Sequence, residues 1–284
     1  MLVFKNKTAI IRILSSTIAK IEAIKSRQSF KMRIAGVVTE NQSAIQFIVS
    51  VYFYCFMQHH YSTLLDIPSS LPLPKVICLD AFGTLFGVRG SVGQIYSEIA
   101  SKYGVDCTPD ALNKFFYTAF QNSAPCIFPG VPTAEILQYE YQWWREINRQ
   151  TFTAVGAIEQ FADFDLFFQH LYRYFTTPAA WEIYADTIPA LINWQRSGVE
   201  LAVVSNFDSR LHNVLEVLGL AGYFSTVTIS TEVSAAKPQP EIFTAALAKY
   251  QCPPQSAWHI GDSLEDDYLG AGNAGLTAIW LNRG

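Results

Sequence analysis

The sequence predicts an α/β protein, a doubly wound parallel sheet of the Rossmann-like type with a helical segment inserted after its first strand. Two observations predict this class. From Lys75 onward, short apolar runs rich in β-branched residues alternate with stretches of helical periodicity, which is typical of a parallel sheet covered on both faces. In addition, about 120 residues separate the first two predicted strands, far more than a single crossover needs.

The core elements follow in order along the chain. We predict strands over Val76–Leu79, Glu200–Ser205, Thr226–Ser230, Ala257–Ile260 and Thr277–Leu281. We predict core helices near Ile188–Arg196, Leu211–Leu218, Pro240–Lys249 and Tyr268–Ala274. Gly198, Gly219 and Gly275 stand where three of these helices would stop, and glycine commonly ends a helix.

The inserted segment, residues 91–176, is helical in pattern and rich in aromatic residues. Its predicted helices are Val92–Lys102, Pro109–Asn122, Thr133–Phe152 and Ala157–Phe175. We interpret it as a four-helix cap over the carboxyl edge of a core formed by residues 75–90 and 177–284; the alternative is a set of extra helices without a gating role. Arg89 and Arg145 are candidates for contact with an anionic substrate, although a solvated arginine is the more common case.

Residues 1–74 differ in character from the rest. They begin as a basic, Ile-rich segment and contain an apolar stretch of 14 residues, Ala44–Met57, which is shorter than the roughly 20 residues of a membrane span. A transit peptide and a weak membrane-proximal anchor are alternatives. We favour a poorly ordered extension, or upstream sequence translated from a misplaced start, with Met57 as the true beginning.

Composition limits the classes of partner. The net charge of −4 provides no basic stripe of the kind that nucleic-acid binders use. The five cysteines are odd in number and scattered, a pattern typical of reduced thiols in a cytoplasmic compartment rather than of a disulfide framework. We therefore expect a cytoplasmic protein that acts on a small molecule, without nucleic acid and without stable membrane insertion.

Four polar residues lie at or just after the carboxyl ends of predicted strands: Asp80, Ser205, Lys237 and Asp262. Ligands of open parallel sheets bind outside these ends, so we expect the four side chains to converge in one crevice. Asp80 is the candidate nucleophile, because a carboxylate at a strand end can form a covalent ester.

The other candidates fit a phosphoryl substrate. Thr84 and the Gly83 turn would offer a hydroxyl and backbone N–H groups to its oxygens, and Ser205 and Asn206 would bind them from the next strand. Lys237 would neutralise the nucleophile and the developing negative charge.

Two further acids indicate that the site binds a metal ion. Asp262 and Asp267, together with Asp80, would place three carboxylates in one crevice, and that repulsion requires a cation. Oxygen ligands of this kind suit Mg²⁺. We assign Asp262 as a direct ligand and Asp267 as the second acid, and expect Glu265 and Asp266 to face solvent.

These motifs, in this order, resemble the haloacid dehalogenase superfamily of hydrolases over roughly residues 75 to 284. The stretch from Trp181 to Leu211, with Ser205-Asn206-Phe207-Asp208, resembles the branch called haloacid dehalogenase-like hydrolase domain-containing protein 3, or rhythmically-expressed-protein-2-like. The resemblance implies an aspartyl-ester mechanism and the same metal ligands, joined by the backbone carbonyl of the residue two positions after the nucleophile, here Phe82.

Phe82 is also the main departure from the family pattern, because phosphatases of the superfamily usually carry a second Asp there as general acid and base. We predict a Mg²⁺-dependent phosphohydrolase of small phosphorylated metabolites that acts through an aspartyl phosphate, with substrates whose leaving groups need little protonation. A 2-haloacid dehalogenase is an alternative, since Asp80-Ala-Phe-Gly-Thr-Leu-Phe resembles that group, but Asp262 and Asp267 argue against it. A weakly active or inactive member with a binding or regulatory role is the third possibility.

Overall fold

The structure, a computed structural model, describes residues 73–283. Apart from Leu73 and Pro74, the predicted N-terminal extension lies outside the described residues, and the hypotheses about it stay predictions. Across the described range, no helix combines the length and the apolar character that crossing a membrane requires.

Within this range, seven strands form one large and one small sheet. They are β1 (Val76–Leu79), β2 (Phe86–Val88), β3 (Trp181–Ile183), β4 (Glu200–Ser205), β5 (Thr226–Ile229), β6 (Ala257–Gly261) and β7 (Thr277–Trp280). The large sheet has the order β5-β4-β1-β6-β7, and each neighbouring pair in it is parallel. The chain therefore extends the sheet to both sides of β1, which confirms the doubly wound α/β class.

Nine α-helices accompany the strands. They are α1 (Val92–Ser101), α2 (Pro109–Asn122), α3 (Ile136–Val155), α4 (Phe164–Tyr174), α5 (Thr187–Arg196), α6 (Arg210–Val217), α7 (Ser230–Val233), α8 (Pro240–Ala248) and α9 (Gly270–Asn273) in the described part of the chain. Helices α1 to α4 lie between β2 and β3, where the sequence predicted four helices. Their role as a cap stays a prediction.

Burial explains the central strands. Every residue of β1 and all but the first residue of β4 are buried, as expected for strands covered on both faces. On one face, Phe243 and Leu247 of α8 share an apolar cluster with Val76, Cys78 and Val204. This packing gives the loops at the carboxyl edge a rigid base.

Local signals set the ends of the inserted helices. The Thr108 and Asp163 side chains accept hydrogen bonds from the first turns of α2 and α4, which satisfies N–H groups that have no partner inside the helix. Helix α3 ends at Gly156, whose φ of 78° lies in the left-handed region that glycine adopts without strain.

Two differences from the sequence prediction concern elements next to the site; in addition, the helix predicted over Ala157–Phe175 begins only at Phe164, and α7 was not predicted. The antiparallel pair β2–β3, with Gly87 opposite Glu182, was not predicted, because each strand has three residues and its partner lies far away in the sequence. The second difference concerns the last helix. The sequence predicted one helix over Tyr268–Ala274, whereas the structure has a π-helix over Leu264–Leu269 followed by α9.

Candidate active site

Asp80 directly follows β1 at the carboxyl edge of the sheet. Its backbone N–H donates to the Ile260 carbonyl at 2.9 Å, and its side chain is buried. The oxygen Oδ1 accepts hydrogen bonds from Ser205 Oγ at 3.0 Å and from Lys237 Nζ at 2.6 Å. Three of the predicted site residues therefore meet at one oxygen atom.

Lys237 bridges two carboxylates. Its Nζ donates to Oδ1 of Asp80 and to Oδ1 of Asp267, both at 2.6 Å, and its side chain is 2% exposed. Burial alone would lower the pKa of Lys237, but the two carboxylates outweigh burial and hold this pKa above its ordinary value. The ammonium group is therefore charged and fixed in place.

Both oxygens of Asp267 have protein partners. Oδ1 accepts a hydrogen bond from Lys237 Nζ and lies 2.8 Å from His259 Nε2, while Oδ2 accepts the backbone N–H of Ser263 at 2.9 Å. Burial acts to raise the pKa of Asp267, yet Lys237 and His259 outweigh burial and hold it below its ordinary value. Asp267 is therefore ionised and orients the lysine.

His259 of β6 lies beside Asp267 and contacts its carboxylate. It is fully buried, and its ring lies edge-on to Phe243 with the ring centroids 5.1 Å apart. Burial lowers the pKa of His259, and Nδ1 has no hydrogen-bond partner among the described residues. Its contact with Asp267 depends on how the π-helix folds back over β6, which the sequence pattern did not indicate.

The carboxylates outnumber the cation that faces them. The pKa of Asp80 is raised to about 7, chiefly by burial; Lys237 acts to lower it, and Asp267 and Asp262 act to raise it. Asp262 is exposed at the mouth of the site. The site therefore carries an excess of negative charge that a bound cation would offset.

Asp262 is held by residues 81–85, the segment that follows the predicted nucleophile Asp80; we call this segment the nucleophile loop. Thr84 Oγ1 donates to Asp262 Oδ1 at 3.2 Å. Gly83 has a φ of +88°, and a Cβ built there would overlap the Asp262 carboxylate. Glycine is therefore required at this position both by its backbone conformation and by the close approach of the carboxylate.

The acids fit a hard divalent cation. Asp80, Asp262 and Asp267 each offer an oxygen atom, and these atoms lie within 4.8 Å of one another. Carboxylate oxygens are the ligands that Mg²⁺ takes in proteins. Of the neighbouring acids, Glu265 is exposed and Asp266 is partly buried.

Asn206 binds the segment that carries the lysine. Its Nδ2 donates to the Lys237 carbonyl at 2.9 Å, and its Oδ1 accepts the Lys237 backbone N–H at 2.7 Å. The side chain thus positions Lys237 relative to β4, and its predicted contact with substrate stays a prediction.

Arg283 also holds the nucleophile loop, and sequence analysis did not identify it. Its guanidinium group donates to the carbonyls of Gly83 and Thr84, pairs with Asp186 Oδ1 at 3.0 Å and lies over the Tyr184 ring at 3.9 Å from the centroid. No local sequence signal marks this contact, because Arg283 follows β7 and the loop follows β1. The arginine therefore holds two peptide groups of the nucleophile loop.

A buried polar cluster joins the inserted helices to the core. Trp144 Nε1 of α3 donates to Asp208 Oδ2 at 2.6 Å, and Glu140 Oε1 accepts the Ser209 backbone N–H at 3.0 Å. Asp208 also pairs with the Arg210 side chain at 2.6 Å and accepts the Arg210 backbone N–H at 3.0 Å. The cluster ties α3 to the loop that follows β4.

A cleft of about 390 Å³ opens beside the nucleophile loop. Phe82 and Gly83 form one side, and the inserted helices contribute Val92 and Tyr117. Phe82 is 40% exposed, so the residue that replaces the second acid of related phosphatases presents its ring to this cleft.

The parallel core, the inserted helices and the acidic site together define a hydrolase. The chain belongs to the haloacid dehalogenase-like hydrolase family, whose model matches residues 74–275. Haloacid dehalogenase-like hydrolase domain-containing protein 3 of Danio rerio is 33% identical over 204 residues, covering 72% of this chain and 83% of that protein. The Rhythmically expressed gene 2 protein of Drosophila melanogaster is 30% identical over 214 residues, covering 72% and 82%. The predicted resemblance to this branch is confirmed.

Solved structures agree on the fold. A HAD phosphatase from Thermococcus onnurineus has a TM-score of 0.51 at 25% identity and covers 74% of this chain and 87% of that one. The L-2-haloacid dehalogenase RSc1362 has a TM-score of 0.57 at 17% identity, covering 75% and 88%. Proteins named for both chemistries therefore share this architecture, and the choice between them depends on the site.

Proposed function

We propose that the protein is a Mg²⁺-dependent phosphohydrolase of small phosphorylated metabolites that acts through an aspartyl phosphate at Asp80. The observation that carries the proposal is the grouping of Asp80, Asp262 and Asp267 around Lys237. Such a site has a fixed cation beside the nucleophile and enough negative charge to bind a second cation. Both are suited to a phosphoryl group in transfer.

Each residue of the site has a role in the proposed reaction. Both donors to Asp80 bind Oδ1, so we assign attack on phosphorus to Oδ2. The new Oδ2–P bond forms as the bond to the leaving oxygen breaks, and water then releases inorganic phosphate and restores the carboxylate. Lys237 offsets the negative charge that develops, and Ser205 and Thr84 supply hydroxyl groups near the transferred group.

Mg²⁺, when bound, would neutralise the phosphoryl oxygens and help to orient them. We propose Asp80, Asp262 and the Phe82 backbone carbonyl as its direct ligands. Because both oxygens of Asp267 have protein donors, we propose that Asp267 supports the metal site chiefly through Lys237 and Ser263.

Phe82 limits the range of leaving groups. A phenyl ring cannot transfer a proton, and a positioned general acid contributes about 10²- to 10⁴-fold in rate. The proposed substrates are therefore phosphates whose leaving oxygen is weakly basic, such as acyl or aryl phosphates.

A 2-haloacid dehalogenase is the second candidate, and Phe82 is the observation that favours it, because halide leaves without a proton. The acids at positions 262 and 267 oppose it, since they would repel an anionic haloacid beside Asp80. A binding or regulatory role is the remaining alternative if turnover is absent.

We further propose that the inserted helices act as a cap and that the protein works in a reducing, cytoplasmic compartment. Trp144 and Glu140 support the first proposal, because they reach the loop after β4. The second is supported by free thiols at four cysteines in the described part of the chain: Cys78, Cys107, Cys126 and Cys252.

The test is hydrolysis of acetyl phosphate, p-nitrophenyl phosphate and 2-chloropropionate, each with Mg²⁺ or with EDTA. The proposal predicts phosphate release that requires Mg²⁺ and is abolished in Asp80→Asn. Halide release in EDTA would assign the protein to the dehalogenases, and a lack of turnover on all three substrates would contradict both enzymatic proposals for these substrate classes.

A further inference from the structure

We infer that the cleft beside Phe82 binds an uncharged aromatic leaving group, so that the preferred substrates are aryl phosphates without negative charge on the ring. This inference rests on the proposed phosphohydrolase function and adds the substrate class. It depends on the position of the cleft, on the side chains that line it and on the chemistry available at residue 82.

The cleft is continuous with the nucleophile loop. Phe82 and Gly83, two and three residues after Asp80, both line it, and Gly83 packs directly against the Asp262 carboxylate. In the inferred complex, the leaving group of a phosphoryl group at Asp80 lies on this side of the loop. The volume of about 390 Å³ is within the range of small-molecule sites.

Three aromatic side chains line the cleft: Phe82, Tyr117 and Tyr184. Phe82 is 40% exposed and Tyr117 is 42% exposed, and Tyr184 lines the cleft beside the small sheet. Trp181 holds the Phe82 ring from its edge, with the ring centroids 6.3 Å apart. Large exposed rings around a concavity are suited to stacking on a flat apolar group.

Charge in the cleft disfavours an anionic leaving group. Glu182 is the one charged side chain that lines it within residues 73–283. The nearby arginines do not line the cleft and are already engaged: Arg89 Nη2 donates to the Trp181 carbonyl, and Arg283 contacts the nucleophile loop, Asp186 and the face of the Tyr184 ring. A carboxylate or second phosphate on the leaving group would thus meet Glu182 without a cation on the lining.

The chemistry at residue 82 leads to the same substrate class. A phenol has a pKa of about 10, as tyrosine does, whereas an alkyl alcohol is far less acidic. When the Asp80 Oδ2–P bond forms, the electron pair of the breaking bond can remain on the phenolate oxygen, which takes its proton from solvent. The lack of an acid at position 82 therefore lowers the rate little for an aryl phosphate, and the Phe82 ring can contact the departing phenol.

The experiment compares two aryl phosphates whose leaving groups have the same pKa. One has a neutral ring, and the ring of the other bears a carboxylate. Acetyl phosphate serves as the substrate without a ring. We expect kcat/KM to favour the neutral ring about fivefold, with added salt reducing the difference, because Glu182 is exposed. Glu182→Gln should reduce the preference, and Glu182→Lys should reverse it. Glu159→Gln, an exposed glutamate outside the cleft lining, should leave it unchanged.

A second variant tests the aromatic wall. Tyr117→Ala should raise KM for the neutral aryl phosphate about two- to tenfold without changing kcat/KM for acetyl phosphate. Equal kcat/KM for the two aryl phosphates, unaffected by substitution at Glu182, would overturn the inference while acetyl phosphate hydrolysis kept the proposed function intact. If Asp80-dependent phosphate release were absent from all three phosphates, both would be overturned.

Discussion

At the scale of single residues, Lys237 shows how the site depends on contacts between distant segments. The lysine is almost completely buried and charged, because Asp80 and Asp267 each accept a hydrogen bond from it. Asn206 binds both the backbone N–H and the carbonyl of the lysine. Asp80 and Lys237 are thus held in place by protein contacts, which is the preorganisation that the proposed catalysis requires.

Phe82 provides the first prediction at this scale. Phe82→Asp should raise kcat/KM for alkyl phosphates by at least about tenfold, because a positioned acid contributes about 10²- to 10⁴-fold when fully effective. The rate for acetyl phosphate should change little. Steady-state assays on a series of leaving groups measure this, and the dependence of rate on leaving-group pKa should become flatter. Phe82→Leu, which adds no acid, is the control; an equal gain in that variant would contradict the explanation.

Arg283 provides the second prediction. Arg283→Gln removes the contacts to the Gly83 and Thr84 carbonyls, and we expect kcat to fall about tenfold because a small displacement of the reacting groups is costly. Asp186→Asn keeps those two contacts and weakens only the exposed ion pair, so its kcat should stay within about twofold. Thermal unfolding of both variants separates a local effect from a loss of folding. The role assigned to Arg283 is contradicted if the two variants have the same kcat.

At the scale of elements, the inserted helices contact the core through polar groups that are buried or partly buried. Asp208 and Glu140 are both buried, and the Arg210 guanidinium lies 3.9 Å from the Tyr172 ring centroid. Burial acts to raise the pKa of Asp208, but Arg210 outweighs burial and holds this pKa below its ordinary value. The cluster therefore keeps its charges and fixes α3 on the loop that follows β4.

The prediction for this cluster concerns stability. Asp208→Asn leaves Arg210, whose side chain is only 11% exposed, without its carboxylate, and removing one partner of a buried pair costs about 3–5 kcal/mol. Asp165→Asn breaks the exposed pair with Arg145, which should cost about 0–1 kcal/mol. Urea denaturation measures both free energies of unfolding. Similar losses in the two variants would contradict the account of the cluster.

The same pair predicts a pH dependence. Because the folded pKa of Asp208 is lowered, its contribution to stability is present above the unfolded pKa of about 3.9. That contribution is lost as pH falls through the lower folded pKa. In Asp208→Asn, this part of the acid destabilisation should be absent, and the difference in unfolding free energy between wild type and variant should shrink at low pH.

Much of this level of structure could be predicted from the sequence. The five strands of the large sheet were predicted to within one residue at each end, because apolar β-branched runs between polar turns are a strong local signal. The pair β2–β3 was not predicted, since a three-residue strand has little pattern of its own. The π-helix was not predicted either. The contact between His259 and Asp267 likewise arises only when the chain folds back over β6.

At the scale of the whole molecule, the topology places the site. The strands on both sides of β1 bring Asp80, Ser205 and Asp262 to one edge, so the convergence predicted from strand ends is observed. Arg283 and the lining of the cleft could not be predicted in this way, because they depend on how the terminal segment and the inserted helices pack. Sequence patterns specify strand ends better than they specify contacts between separate elements.

Metal binding should couple to the stability of the whole fold. A ligand that binds only the folded state stabilises it, by about 2.7 kcal/mol at a hundredfold excess over Kd. We expect the melting temperature to rise with Mg²⁺ in the wild type and to respond much less in Asp262→Asn. Glu265→Gln, an exposed acid near the site, should respond like the wild type. A rise of equal size in Asp262→Asn would exclude that residue as a ligand.

The most direct test of the central claim is mass spectrometry of the protein after acid quenching of a reaction with acetyl phosphate and Mg²⁺. The account predicts a phosphoryl group on the peptide that contains Asp80, present in the wild type and absent in Asp80→Asn. Phosphate release at full rate from Asp80→Asn, or a wild-type adduct on another residue, would contradict covalent catalysis by Asp80.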